Sequence, residues 1–258
     1  MTWGVEAVIN ALQRHPAAAV LARHSCKALG NFCLTNDLNR KRIALAGGVE
    51  EVVKTMNKHA SVELVLQHAC ILLSHLSLHQ DKKQRTESEG RRALIGQAGG
   101  VAAVTNAMGR HPTVVVLLKY VCMALTTLTY FNDDNRMVVA REGGIEVIID
   151  MMQRYPSVKD LLEQACRTLG NLSVNDDNRK RIGRAGGIEV VVETMQRHST
   201  DTKIQDEATR ALFKLSFNGD NKKLISKTAR KAVKEAQKLF PSLKYPTSLL
   251  RRLGRRPC

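Results

Sequence analysis

The chain has 258 residues, of which 43% are hydrophobic and only 4% aromatic, so its core must come from aliphatic side chains, as in packed helices. No apolar run approaches the ~20 residues of a membrane-spanning helix, and the start of the chain lacks the features of a signal peptide. The formal charge is +16, but residues 222–258 hold twelve basic residues and one acidic residue, so a basic end follows a nearly balanced body.

These totals predict a soluble protein of the cytoplasm, the nucleus or both. In such a compartment the six cysteines are expected to be thiols rather than disulfides.

A Gly-Gly-(Val/Ile) motif recurs along the chain and opens the same pattern each time. Apolar residues follow it at offsets 0, 3, 4 and 7, the spacing of an amphipathic helix. A second, longer helical stripe comes next, often after a proline. An Asn/Asp cluster then caps a short basic helix, and the next glycine pair turns the chain again. Degenerate and complete copies together predict five repeats, at residues 1–46, 47–98, 99–142, 143–185 and 186–228.

Three segments depart from this pattern. The first repeat lacks its short helix, so a fragment of a larger protein is an alternative. The second repeat carries extra polar residues at 79–90, which predict a surface loop, with a partner contact as the alternative. Residues 229–240 predict a capping helix, with Thr228 as its N-cap and a basic outer face. Residues 241–258 predict a flexible basic tail.

The chain resembles the armadillo-repeat family. The resemblance rests on a period of ~42 residues, three helices per repeat, the Gly-Gly-Ile corner and the pattern at residues 165–172. It implies an all-α fold, a right-handed armadillo-repeat superhelix (α-solenoid) of about five three-helix repeats with a C-terminal capping helix. The short helix and the glycine corner argue against a two-helix HEAT array.

In armadillo proteins the third helices line a concave groove, and helical phase assigns two rows of side chains to it. The first row is Lys27, Ile71, Met123, Arg167 and Arg210, and the second is Asn31, His75, Thr127, Asn171 and Lys214. In members that bind extended peptides, a third-helix asparagine bonds the ligand backbone, which is the position of Asn31 and Asn171. The first row has no tryptophan, which disfavours a nuclear-import receptor of the importin-alpha kind.

The resemblance therefore implies a scaffold or adaptor that binds extended protein segments, and not an enzyme. The bases of the two rows favour an acidic segment, as in the basic groove of the beta-catenin kind; ordinary solvated helix charges are the alternative reading. A second hypothesis is nucleic-acid or anionic-lipid binding by the basic end, through Arg251, Arg252, Arg255 and Arg256. The oligomeric state has no signature in the sequence.

Two sets of residues resemble disulfide or metal-binding clusters. Cys26, Cys70, Cys122 and Cys166 share one repeat position, as do His15, His59, His111 and His198. Their spacing, about one helix diameter, excludes a disulfide or a shared metal ion. We expect the cysteines to pack in the core and the histidines to serve helix ends. With no P-loop, Rossmann fingerprint, metalloprotease or serine-hydrolase motif in the chain, no catalytic residue, cofactor or metal is predicted.

Overall fold

A computed structural model describes residues 4–78 and 85–254, and in these ranges the chain forms seventeen α-helices and no strand. The helices alternate among three kinds. Those that follow a glycine corner, or occupy the same place in the order, are the second helices: α1 (Gly4–Arg14), α4 (Gly48–Lys58), α7 (Gly100–Arg110), α10 (Gly144–Arg154), α13 (Gly187–Arg197) and α16 (Arg230–Leu239).

The third helices come next in each repeat and are mostly longer. They are α2 (Ala19–Leu34), α5 (Glu63–Leu76), α8 (Val115–Leu128), α11 (Lys159–Leu172), α14 (Thr202–Leu215) and α17 (Lys244–Gly254). The first helices precede the corners and are α3 (Asp37–Leu45), α6 (Arg85–Gln97), α9 (Asp133–Arg141), α12 (Asp176–Arg184) and α15 (Gly219–Thr228).

The two positions of the glycine pair require glycine for different physical reasons. The first glycine adopts a left-handed backbone, with φ of 72° at Gly47, which other residues adopt only at a cost. The second glycine has no room for a side chain, because a Cβ on Gly48 would lie 2.8 Å from the carbonyl oxygen of Ile43. The pair thus makes the sharp corner between a first and a second helix.

Asparagine caps open four of the first helices, as the sequence predicts. The side chain of Asn36 accepts a hydrogen bond from the backbone N–H of Asn39, and the side chains of Asn132, Asn175 and Asn218 do the same in their repeats. Each cap satisfies a backbone donor that the helix itself leaves unpaired.

The chain divides into two compact lobes, an N-terminal lobe of Met1–Gly144 and a C-terminal lobe of Ile145–Cys258. In the N-terminal lobe α2, α5 and α8 pack side by side, and α1, α4 and α7 form a parallel layer against them. In the C-terminal lobe α11, α14 and α17 pack in the same manner, with α13 against α14 and α16 against α17. The core of both lobes is aliphatic, as the composition requires.

The end of the chain differs from the prediction of a flexible tail. Residues 244–254 form α17, whose Leu249 and Leu253 are buried and which packs against α14. Its apolar residues lie on one helix face, so that face can be buried while the basic residues stay outside. Because α15, α16 and α17 follow the order of a first, second and third helix, they complete one more armadillo-like set.

Two smaller predictions also need correction. Residues 85–90 of the predicted loop belong to α6, where Arg85 pairs with Glu89 one turn later at 2.9 Å; residues 79–84 lie outside the described residues. Thr228 does not cap α16, because α15 continues through it and its hydroxyl donates to the Leu224 carbonyl. Among the described residues, no helix has the length and apolarity needed to cross a membrane.

Candidate functional site

The third helices of each lobe form a continuous face. We call α2, α5 and α8 the N-terminal third-helix face, and α11, α14 and α17 the C-terminal third-helix face. Glycines allow close helix approach: a Cβ on Gly30 of α2 would lie 3.7 Å from the Leu72 backbone of α5, and one on Gly170 of α11 would lie 3.4 Å from that of Ala211 of α14. Side chains at equivalent positions therefore stand next to one another.

On the N-terminal face, some predicted site residues are exposed and others are hydrogen-bonded within the protein. Lys27 and Asn31 of α2 are exposed, and Met123 of α8 is half-buried. His75 is hydrogen-bonded within the protein, since its Nδ1 lies 3.0 Å from the Gly30 carbonyl oxygen. The hydroxyl of Thr127 donates to the Ala124 carbonyl at 2.9 Å. Lys27 and Asn31 are thus the members of this group that are open to a ligand.

On the C-terminal face, the predicted arginines are neutralised by the protein itself. Arg167 Nε donates to Glu207 Oε1 at 2.8 Å, and Arg167 Nη2 donates to Glu163 at 3.1 Å. Arg210 Nη2 lies 2.9 Å from Glu207 Oε2, an ionic contact without hydrogen-bond geometry. Glu207 is 8% exposed, so it holds the two arginines together from a buried position. These charges form an internal network between α11 and α14.

The two predicted asparagines have different surroundings. Asn31 is exposed, whereas Asn171 is only 3% exposed. Lys214, the next member of the same row, is half-buried. An amide in the position of Asn31 is open to a peptide backbone, and the amide of Asn171 is much less so.

The basic end contributes both exposed and structural cations. Arg251 is exposed. Arg252 stacks on the Phe217 ring, 3.7 Å from its centroid, and donates to the Ser216 carbonyl at the end of α14. Arg255 and Arg256 lie outside the described residues. Arg252 therefore helps to hold α17 on α14.

The sequence analysis missed a set of arginines that bind the carbonyl ends of the third helices. Arg40 is fully buried and donates to the carbonyls of Leu34 and His75 at 2.9 and 3.1 Å. Arg179 donates in the same way to Ser173 at 3.0 Å. Both lie four residues after a capping asparagine, a spacing that is visible in the sequence. These bonds add donors to carbonyls in the last turn of the helix, where the regular helical pattern supplies none.

The four cysteines and three of the four histidines have structural roles, whereas His15 is exposed. Cys26, Cys70, Cys122 and Cys166 are buried free thiols, and burial raises the pKa of Cys26 and of Cys122 to about 12. Nε2 of His59 lies 3.0 Å from the Pro16 carbonyl, and His111 and His198 make the same kind of contact with Ala60 and Pro156. Among the described residues, no group of histidine, cysteine or carboxylate side chains is arranged to hold a metal ion.

Comparison with known proteins agrees with this architecture. The model of the family described as LRRK2 ARM repeat matches residues 36–244. A comparison with curated proteins finds no match to this chain.

Solved structures give the same fold. An engineered protein is 22% identical with a TM-score of 0.82, and the match covers 96% of each chain. A designed armadillo repeat protein in complex with the peptide (KR)4 is 12% identical with a TM-score of 0.81, covering 97% of this chain and all of the other. A chain from the cadherin and beta-catenin system, whose interaction is controlled by a phosphorylation switch, is 18% identical with a TM-score of 0.63; the match covers 98% of this chain and 52% of that one.

Proposed function

Since this chain belongs to the LRRK2 ARM-repeat family, whose fold is typical of peptide-binding scaffolds, we propose that it is a non-enzymatic scaffold that binds extended protein segments on its third-helix faces. The observation that carries the proposal is the repetition of the same helix three times in each lobe, with equivalent side chains side by side. Neighbouring helix axes are ~10 Å apart, and an extended segment in the polyproline II conformation advances ~3.1 Å per residue with three residues per turn. Every third residue of a bound segment would then meet an equivalent position.

The asparagine and the cation of α2 supply the polar part of such a site. Asn31 offers one donor and one acceptor to a peptide bond. Lys27 lies one turn earlier and is exposed, so it is placed to meet a carboxylate. We therefore propose more specifically that the bound segment is acidic. Arg167 and Arg210 contribute little to it, since their charges are already balanced within the C-terminal lobe.

A selection of linear peptides from a random displayed library tests the proposal. We expect the intact protein to enrich linear peptides, and the Lys27→Gln, Asn31→Ala double variant to bind them about tenfold or more weakly. The matched control is Lys54→Gln, Lys58→Gln, which changes exposed positions of the second helix α4 in the same lobe. Failure to enrich any linear peptide, or equal losses in both variants, would contradict the proposal.

Binding of nucleic acid or an anionic surface is a second candidate function. It is favoured by the exposed cations Arg230, Lys231, Lys234 and Lys238 on α16, which continue in Lys244 and Arg251 of α17. A binding mode of this kind depends on phosphate neutralisation and weakens steeply with salt.

A salt titration on random-sequence DNA tests this candidate. If it is correct, replacing Lys231, Lys234 and Lys238 with glutamine lowers both the affinity and the salt slope. These lysines are exposed, so the fold should tolerate the change. An unchanged slope would rule the candidate out.

A further inference from the structure

Three exposed aliphatic side chains occupy one repeat position on the N-terminal third-helix face. Val20 of α2 is 69% exposed, Leu64 of α5 is 47% exposed and Val116 of α8 is 56% exposed. Each lies six residues before the buried cysteine of its helix, so the three are structurally equivalent. We call them the aliphatic row. Large apolar side chains that line up on a surface mark a contact site more often than isolated ones do.

A group of basic side chains lies beside the aliphatic row. Arg23, His24 and Lys27 follow Val20 within two turns of α2, and His68 stands on α5 at the position equivalent to His24. Nη2 of Arg23 lies 2.7 Å from Nε2 of His24. We call these four residues the basic cluster.

Carboxylates are scarce near this cluster. The helices α2, α5 and α8 together contain a single acidic residue, Glu63, at the first position of α5. Its carboxylate lies 3.8 Å from His111. Burial and the charges of Lys27, Arg23 and His24 lower the pKa of His68, as expected where cations lack a countercharge.

On α11 and α14, the C-terminal third-helix face has neither feature. Asp160 and Lys203 occupy the positions of the aliphatic row on α11 and α14. The positions equivalent to Arg23 and His24 on α14 are Asp206 and Glu207, and Glu207 is bound to Arg167. The chain thus contains an apolar version of the face with a single carboxylate and, on α11 and α14, a version whose arginines are paired with carboxylates.

We infer that the N-terminal third-helix face is the specific site for an acidic protein segment in the polyproline II conformation that carries an aliphatic side chain at about every third residue. Its aliphatic side chains pack on Val20, Leu64 and Val116. Its carboxylates pair with Arg23 and Lys27, the two permanent cations of the basic cluster. Charge and apolar complementarity together favour a protein segment as the ligand, because a purely acidic polymer such as nucleic acid would leave the aliphatic row uncovered. This inference rests on the proposed scaffold function and assigns it a location and a ligand class.

Synthetic peptides test the inference directly. The probe is a twelve-residue peptide of four Ile-Glu-Thr triplets, whose β-branched residues disfavour a helix. Its comparators replace every glutamate with lysine, or every isoleucine with serine. Fluorescence anisotropy with the full chain should show binding of the probe, with affinity about tenfold or more lower for either comparator. Equal binding of the lysine peptide would overturn the inference.

The C-terminal lobe supplies the substitutions for a matched variant. Val20→Asp, Leu64→Asp places on α2 and α5 the residue that α11 carries as Asp160, so the helices should accept it. We expect about a tenfold or greater loss of probe affinity with an unchanged urea midpoint. The control Lys54→Gln, Lys58→Gln should leave the affinity unchanged. Undiminished binding by the aspartate variant contradicts the inference.

The two proposals fail in different ways. If displayed libraries yield linear peptides that ignore Val20 and Leu64, the scaffold function stands and the assigned site is wrong. If the aspartate variant loses stability as well as binding, an Arg23→Gln, Lys27→Gln variant replaces it, since both side chains reach solvent. That variant should lose affinity for the glutamate probe and keep its affinity for a peptide with glutamine in place of glutamate; equal affinity of wild type and variant for the glutamate probe overturns the inference.

Discussion

Several buried polar side chains in this protein donate to backbone carbonyls of neighbouring helices. Arg40 bonds two carbonyls and pairs with Asp37, and Asn135 donates to the carbonyls of Leu128 and Arg92. Because a buried carbonyl without a donor is costly, these residues stabilise the junctions between helices. They are structural residues although their chemistry resembles that of a binding site.

The Arg40→Met variant should be strongly destabilised. It removes the arginine donor of the Leu34 carbonyl and one of the donors of the His75 carbonyl, and it leaves Asp37 with one arginine partner fewer. This costs about 2–4 kcal/mol of unfolding free energy. Urea denaturation measures the effect. Arg42→Met is the control, since its ion pair with Glu6 is partly exposed and should contribute little. Equal effects of the two substitutions would contradict this role for Arg40.

The buried cysteines predict a loss of stability at alkaline pH. Burial raises the folded-state pKa of Cys26 and of Cys122 from 9.0 to about 12. The unfolded chain therefore releases these protons at a lower pH than the folded chain. The stability contributed by the buried, protonated thiols is complete below pH 9.0 and is lost as the pH rises towards the folded-state pKa.

Urea midpoints at two pH values measure this effect. The midpoint should fall between about pH 8 and pH 10, and it should fall less in the Cys26→Ala, Cys122→Ala variant. The same decline in both proteins would show that other groups cause it.

At the level of helices, the sequence predicts most of the architecture because the determinants are local. The glycine pair fixes the corner, asparagine caps the first helices, and apolar spacing gives the buried face. The prediction failed for α17, where the basic residues that follow Pro241 resembled a tail. Its helix depends on burial of Leu249 and Leu253, and such tertiary packing is not visible in local sequence.

The Leu249→Ala variant tests whether α17 is an integral helix. Leu249 is fully buried, so its truncation should cost about 2–4 kcal/mol. Arg251→Ala, at an exposed position of the same helix, should have little effect. Chemical denaturation followed by circular dichroism measures both. A flexible tail would predict no change in either variant.

The candidate site was harder to predict than the fold. Helical phase places Lys27 and Asn31 on the third-helix face, where the structure finds them exposed. Phase does not reveal that Glu207, from the neighbouring α14, reaches Arg167, because that contact joins residues 40 positions apart. From residue identities alone, the cations of both lobes therefore look equally available to a ligand. The contacts between helices show that Arg167 and Arg210 are already paired with carboxylates.

Over the whole molecule, repetition of one helical unit gives two faces of the same geometry and different chemistry. A scaffold of this kind can bind one segment specifically without any catalytic group, because equivalent side chains recur at a spacing that matches an extended chain. The excess positive charge of +16 raises non-specific attraction to anions. We therefore propose that specificity comes from the aliphatic row and the basic cluster together.

Hydrogen exchange of the full chain with and without the Ile-Glu-Thr peptide tests this account most directly, because it locates the bound segment on the helices. The account predicts slower exchange in α2, α5 and α8, with little change in the second helices α4 and α7. Protection confined to α11 and α14, or to the second helices, would contradict it.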